Sequence, residues 1–155
     1  MKALIVIAER CIGCRLCEII CSFTHEQVIN PKKARLRVVR LHSEPIDVPI
    51  FCIQCGLCVN VCPVNALSRD PKTGAIIVNN DKCVKCKRCL QVCPYGAIIL
   101  DPTTGRPLIC DLCNGNPACV NVCPTGALRY VSLEEVSLYR RMMYSRLLIK
   151  THPHA

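Results

Sequence analysis

Sixteen of the 155 residues are cysteine, in four groups of four with nearly the same internal spacing. The groups are Cys11, Cys14, Cys17 and Cys21; Cys52, Cys55, Cys58 and Cys62; Cys83, Cys86, Cys89 and Cys93; and Cys110, Cys113, Cys119 and Cys123. The first three read C-x2-C-x2-C-x3-C, the ligand run of a 4Fe–4S cluster, and the fourth is stretched between its second and third cysteines. Three thiolates must converge on three corners of one cubane, and steps of three residues in a tight loop allow that. Four such runs predict four clusters, a fold wrapped around them, and a protein that carries electrons.

Other uses of cysteine fit less well. A disulfide framework suits small secreted chains. Here the start, MKALIVIAERC, reaches charged Glu9 and Arg10 at once and offers no small-residue cleavage site. Structural zinc asks for C-x2-C pairs separated by longer gaps, whereas a third cysteine follows each of the first three pairs directly. Reduced, oxygen-sensitive ligands point to the cytoplasm of an anaerobe, and no apolar stretch approaches the ~20 residues of a membrane span. No twin-arginine leader is present.

Charge agrees with this reading. Lys plus Arg number 20 against 11 Asp plus Glu, a formal +9. Each oxidised cluster with its four thiolates carries about −2, so four contribute about −8 and bring the total to about +1. The basic excess is thus mostly compensation for cluster charge and not a nucleic-acid footprint. Aromatic residues are 4% and Trp is absent, which leaves little for base stacking.

The chain is an internal repeat. Pro63, Pro94 and Pro124 follow the last cysteine of runs two, three and four, as fits a turn; Ser22 stands at that place in run one. The turn Asp70-Pro71-Lys72-Thr73-Gly74 leads into the strand Ala75 to Val78, and a similar element recurs at Asp101 to Gly105. Runs two and three together read as a complete two-cluster ferredoxin, in which the last cysteine of one run ligates the other cluster. Runs one and four then pair by elimination, closed by strands at Ala3 to Ile7 and Leu128 to Val131. The competing arrangement pairs neighbours, one with two and three with four. The 20 residues between Cys62 and Cys83, against 30 between Cys21 and Cys52, favour the former.

The expected fold is α+β: tandem bacterial-ferredoxin-like lobes with short strands and helices wrapped around four clusters. Residues 1–50 with 101–131 form the outer lobe, 51–100 the inner lobe, and 132–155 a C-terminal helix and tail. The helix is read from Val131 onward, with Ser132 and Glu135 as a capping box and Leu133, Val136, Met143 and Leu147 roughly on one face. It covers a lobe or meets a partner. The tail from Thr151 is expected to be disordered. Pro31 to Leu41 alternates base and apolar residue, which reads as a strand with a charged face. That face is either a solvated edge or a docking surface for an acidic partner. His25 and His42 read as ordinary polar residues. Lys82, Lys85, Lys87 and Arg88 crowd the third run, so its cluster is expected to be easier to reduce than the fourth, whose run holds only Asp111.

The span from Cys11 to Leu128 resembles the four-cluster electron-transfer subunits of the dimethyl-sulfoxide-reductase type. Their relatives serve formate dehydrogenases, formate hydrogenlyase, carbon-monoxide dehydrogenase and tungsten-dependent aldehyde oxidoreductases. The most specific match is CDLCNGNPACVNVCPTGAL, Cys110 to Leu128, with Pro117 in its extra residues; CIGCRLCEIIC without a following proline also matches. The resemblance implies that Cys11, Cys14, Cys17 and Cys123 hold one cluster and Cys52, Cys55, Cys58 and Cys93 a second. Cys83, Cys86, Cys89 and Cys62 hold a third, and Cys110, Cys113, Cys119 and Cys21 the fourth. The chain lacks the long insertions of respiratory members, which favours a soluble complex over a quinone-linked one. It implies a non-catalytic subunit between a catalytic oxidoreductase, molybdenum or tungsten enzymes among them, and another redox carrier. No phosphate loop, nucleotide fingerprint or nucleophile with a base suggests chemistry of its own. The alternatives are a free polyferredoxin that shuttles by diffusion and a structural metal-binding module.

Overall fold

The computed structural model describes residues 2–41 and 46–151. His42 and the tail beyond Thr151 lie outside the described residues.

The first three cysteine runs fold alike because the backbone turns left-handed on both sides of the second cysteine. φ is positive at Gly13 and Arg15, at Gln54 and Gly56, and at Lys85 and Lys87. This conformation costs a non-glycine residue about 1–2 kcal/mol. Glycine relieves that cost at Gly13 and Gly56, and its missing Cβ lets the Asp47 carboxylate and the Arg69 guanidinium lie close against the loop.

Single-turn helices follow in three of the runs: α2 (Leu57–Asn60), α3 (Arg88–Val92) and α4 (Ala118–Asn121). Each ends before a Cys-Pro step, since proline clashes with the preceding turn. Three residues past that cysteine, Asn65, Gly96 and Gly126 again have positive φ. Their N–H groups donate back to the carbonyls of Cys62, Cys93 and Cys123 at 3.3, 3.4 and 3.3 Å. Run one differs. With Ser22 in place of proline its helix α1 runs on from Leu16 to Glu26. The buried Ser22 hydroxyl donates to Ile19 O at 2.9 Å and accepts from Asn30 N at 3.2 Å. Cys21 therefore sits inside a helix.

Among the described residues, four two-stranded antiparallel sheets complete the fold. β1 (Lys2–Val6) pairs with β8 (Leu128–Ser132), joining the two ends of the repeat. β2 (Leu36–Leu41) pairs with β3 (Ile46–Phe51). β4 (Leu67–Arg69) pairs with β5 (Ile76–Val78), and β6 (Ile99–Leu100) with β7 (Pro107–Leu108). The last two hairpins share one turn chemistry. Asp70 accepts from Thr73 N at 2.9 Å, and Asp101 from Thr103 N at 2.7 Å. The result is α+β with ferredoxin-like repeats and small sheets. Isolated hairpins of this size are marginal in water, so each depends on packing against the cysteine loops.

Two boundaries differ from expectation. Pro31–Lys33 form a 3₁₀ turn, capped by Asn30 Oδ1 on Lys32 N, so the basic strand starts only at Leu36. The C-terminal helix α5 is Leu133–Thr151, because Val131 and Ser132 still belong to β8. The expected capping box is present: Ser132 N donates to Glu135 Oε2 at 3.0 Å and Glu135 N to Ser132 Oγ at 3.2 Å. The helix stands on β1 and β8 through buried Val136 and through Tyr139, whose hydroxyl donates to Val6 O at 3.0 Å. Among the described residues, no helix is long and apolar enough to cross a membrane.

Candidate iron–sulfur sites

Two cavities are lined by four cysteines each, and both mix runs. Cys11, Cys14, Cys17 and Cys123 line one, together with Val38, Pro49 and Leu128. Cys62, Cys83, Cys86 and Cys89 line the other, together with Leu90, Leu100 and Pro107. The other eight cysteines show a similar crossing in their electrostatics. Burial pushes Cys52 up, and the nearby Cys55 and Cys93 sulfurs add to the rise. Burial also drives Cys110 well up, with Cys119 and Cys21 raising it further. Cys119 is pushed to about 12 by burial first and then by Cys21, Cys113 and Cys17.

These sulfurs fit a cationic metal core and little else. Cys17 is pushed to about 12 and Cys58 to about 11, chiefly by burial. Buried thiolates that also repel one another need a positive charge among them, and iron in a cluster supplies it while accepting and returning one electron. Cys62 and Cys123 behave differently. Burial raises each thiol, but backbone N–H groups outweigh it: Ala66, Val64, Leu67 and Asn65 at Cys62, and Leu128, Ala127 and Thr125 at Cys123, where the Thr125 hydroxyl helps. Ala66 N lies 3.2 Å from Cys62 Sγ. The turns after Cys62-Pro63 and Cys123-Pro124 thus aim amides at the sulfur, which favours the thiolate.

The cysteines of the fourth run, with Cys21 close to Cys110, have companions that the sequence reading missed. Asp111 accepts from Arg35 Nη1 at 2.6 Å, from His25 Nε2 at 3.0 Å and from Cys113 N at 3.0 Å. His25 Nδ1 lies 2.9 Å from Cys21 O. A carbonyl and a carboxylate only accept, so both ring nitrogens carry protons and His25 is a cation. Asp111 pushes its pKa up to about 12, with the Cys113 and Cys21 sulfurs next in importance. Burial works against the Asp111 carboxylate, but His25 and Arg35 prevail and hold it well below the usual range. His25, Asp111 and Cys113 offer ligand atoms within 4.8 Å of one another. The protonated imidazole makes His25 a hydrogen-bond donor there and not a metal ligand. Asp111 alone was visible as the one charge inside its run; its partners lie 86 and 76 residues away.

Part of the charge of the basic stretch is used inside the molecule. Arg35 is bound to Asp111, and Arg40 grips Asp47 at 2.8 and 3.1 Å. Asp47 in turn lies over Gly13 of the first run. The second run is braced likewise by Arg69, which donates to Gln54 O at 2.8 Å and Gly74 O at 2.7 Å.

Contacts between sites run in a chain. Cys17 of the first run is close enough to raise Cys119 of the fourth, and Cys89 of the third to raise Cys58 of the second. Gln54 of the second run donates to Cys110 O at 2.7 Å and accepts from Ile76 N at 2.8 Å.

Three overlapping stretches, residues 10–67, 51–97 and 75–130, match 4Fe–4S dicluster domains. The chain is 44% identical over 142 residues to the polyferredoxin-like subunit of an aliphatic sulfonate oxidoreductase of Pyrococcus furiosus, covering 88% of this chain and 82% of that one. It is 34% identical to the electron transport protein HydN of Escherichia coli, covering 90% and 95%. Among solved structures, a chain of the BamBC active-site complex of benzoyl coenzyme A reductase is similar with TM-score 0.52 and 29% identity, over 94% of this chain and 90% of that one.

Proposed function

We propose that this chain, which belongs to the family of polyferredoxin-like 4Fe–4S electron-transfer subunits, wires a catalytic oxidoreductase subunit to a second, mobile electron carrier in the cytoplasm. The chain carries four 4Fe–4S clusters and is an electron-transfer protein, not a catalyst. Proposed beyond that are the ligand sets, the order of the relay and the partners.

The ligand sets are Cys11, Cys14, Cys17 with Cys123; Cys52, Cys55, Cys58 with Cys93; Cys83, Cys86, Cys89 with Cys62; and Cys110, Cys113, Cys119 with Cys21. The single observation that carries this reading is the cavity bounded by three cysteines near the start of the chain and Cys123 near its end. Electrons pass from the site of the first run to the fourth, second and third, or back. The chain of contacts through Cys17–Cys119, Gln54–Cys110 and Cys58–Cys89 supports that order. The molecule then divides as two lobes, 1–50 with 101–131 and 51–100, plus the C-terminal helix. The names of the relatives support a catalytic subunit as the permanent partner.

Anaerobic purification from native cells, with iron and sulfide analysis, tests the proposal. We expect about 16 Fe and 16 sulfide per chain and a large redox enzyme that stays bound through gel filtration. A lone, fully loaded chain would establish the diffusing shuttle instead, and stoichiometric zinc would remove electron transfer altogether.

A further inference from the structure

The third cysteine run differs from the other three in what surrounds it. Lys82, Lys85, Lys87 and Arg88 are all exposed, and so are Val84 between them, at 61%, and the ligand Cys86. Within residues 80–95 the only carboxylate is Asp81. The ion pairs among the described residues involve none of these four cations. The other runs carry fewer cations between their cysteines: the first has the exposed Arg15 alone, the second has no charged residue, and Asp111 of the fourth is bound by two cations. Arg69 braces the second run and Asp47 covers the first.

Lys85 and Lys87 both hold left-handed conformations, φ 58° and 61°, flanking the exposed Cys86. The same left-handed turns flank the exposed Cys14 and Cys55 of the first two runs, so what sets this face apart is the pair of lysines they carry. A small apolar centre ringed by unpaired cations is the pattern of a brief, steered encounter. Permanent interfaces bury more and are more apolar, whereas complementary charge raises the rate of encounter.

We propose that this face, centred on Val84 and Cys86 and ringed by Lys82, Lys85, Lys87 and Arg88, is the docking site of an acidic one-electron carrier protein. The proposal rests on the relay described above and identifies its exit. One electron passes between the carrier's reduced centre and the cluster of the third run. The carrier is oxidised by one electron as this chain is reduced by one, or the reverse, and no bond forms or breaks.

The test is stopped-flow reduction of the fully loaded chain by a reduced acidic two-cluster ferredoxin. The wild-type second-order rate should fall about tenfold between roughly 0.05 and 0.5 M salt, as screening removes the steering. Lys82→Gln/Lys85→Gln/Lys87→Gln/Arg88→Gln should lower the rate at low salt about tenfold and flatten its salt dependence. Arg140→Gln/Arg141→Gln on α5 should change it less than twofold. A wild-type rate that does not fall with salt, or an equal loss in the α5 variant, overturns the docking site, and the wild-type result decides even if the quadruple variant loses a cluster. Reduction by the small cation methyl viologen separates the two claims. Equal reduction of both proteins by the dye leaves the relay intact whatever the ferredoxin does. Clusters that the dye cannot reversibly reduce sink the relay itself.

Discussion

The third and fourth cysteine runs handle positive charge in opposite ways. The third gathers four exposed cations around its loop, none of them in an ion pair among the described residues. The fourth has two, drawn from other parts of the chain, with side chains only 10% exposed at His25 and 21% at Arg35, both bonded to an aspartate inside the run. Counting charges along the sequence favours easier reduction at the third. Burial changes the weighting, because exposed lysines are screened by water and salt while enclosed cations act through a lower dielectric. The lesson is that a charge tunes a cluster by where it is held, and one on the surface serves encounters better than potentials.

The contrast can be broken most severely at the ligands. Cys62→Ala should abolish the paramagnetic signal of the third-run cluster and spare that of Cys52, Cys55 and Cys58. Cys21→Ala should do the same to the fourth. Damage confined to each cysteine's own run would end the crossed arrangement.

Asp111→Ala comes next in size. It strands two cations and leaves Cys113 N without its acceptor, and losing one partner of a buried pair costs about 3–5 kcal/mol. With Asp111 a quarter exposed, about half that is expected, enough to make one cluster labile. Iron should drop from about 16 to about 12 per chain, whereas Lys85→Ala/Lys87→Ala keeps its full complement. Full loading of Asp111→Ala would show that the network is ornamental.

His25→Gln is milder. It preserves a donor but deletes the charge, so the fourth cluster should become harder to reduce by roughly 60 mV, a tenfold change for one electron. Lys85→Gln should move the third by less. A site-resolved redox titration followed by electron paramagnetic resonance would reverse the comparison if the lysine had the larger effect.

The smallest effect needs no mutation. Raising ionic strength to about 1 M shortens the screening length to about 3 Å. The potential of the third cluster should fall slightly while the fourth holds still. Equal drift in both would mean that burial does not distinguish them.

What the sequence made legible is what is local. Ligand spacing, Cys-Pro steps and the Asp-Pro turns all act within a few residues, and the repeat showed through them. The pairing of β1 with β8 was readable because only two apolar runs stood at the right ends. Ser22 was noticed as a departure, but its result, an eleven-residue helix tied to Asn30, depends on a hydrogen bond eight residues on. His25, Arg35 and Gln54 act across 86, 76 and 56 residues. No periodicity records such contacts. His25 read as ordinary because its partners, the Asp111 carboxylate and the Cys21 carbonyl, leave no mark in the spacing of the cysteines.

The junction of β1 with β8 and the cavity shared by Cys17 and Cys123 also impose a timetable on synthesis. The ribosome adds about 5–20 residues per second, and segments fold as they emerge. Everything that lines the cavity of Cys62, Cys83, Cys86 and Cys89 has emerged once Pro107 is out. The three cysteines made first must wait for Cys123, and β1 for Leu128. Nascent chains thus expose open thiols longest at the end made earliest. Premature termination between Pro107 and Cys123 yields a product in which the cavity of Cys62, Cys83, Cys86 and Cys89 is complete but that of Cys11, Cys14 and Cys17 is not.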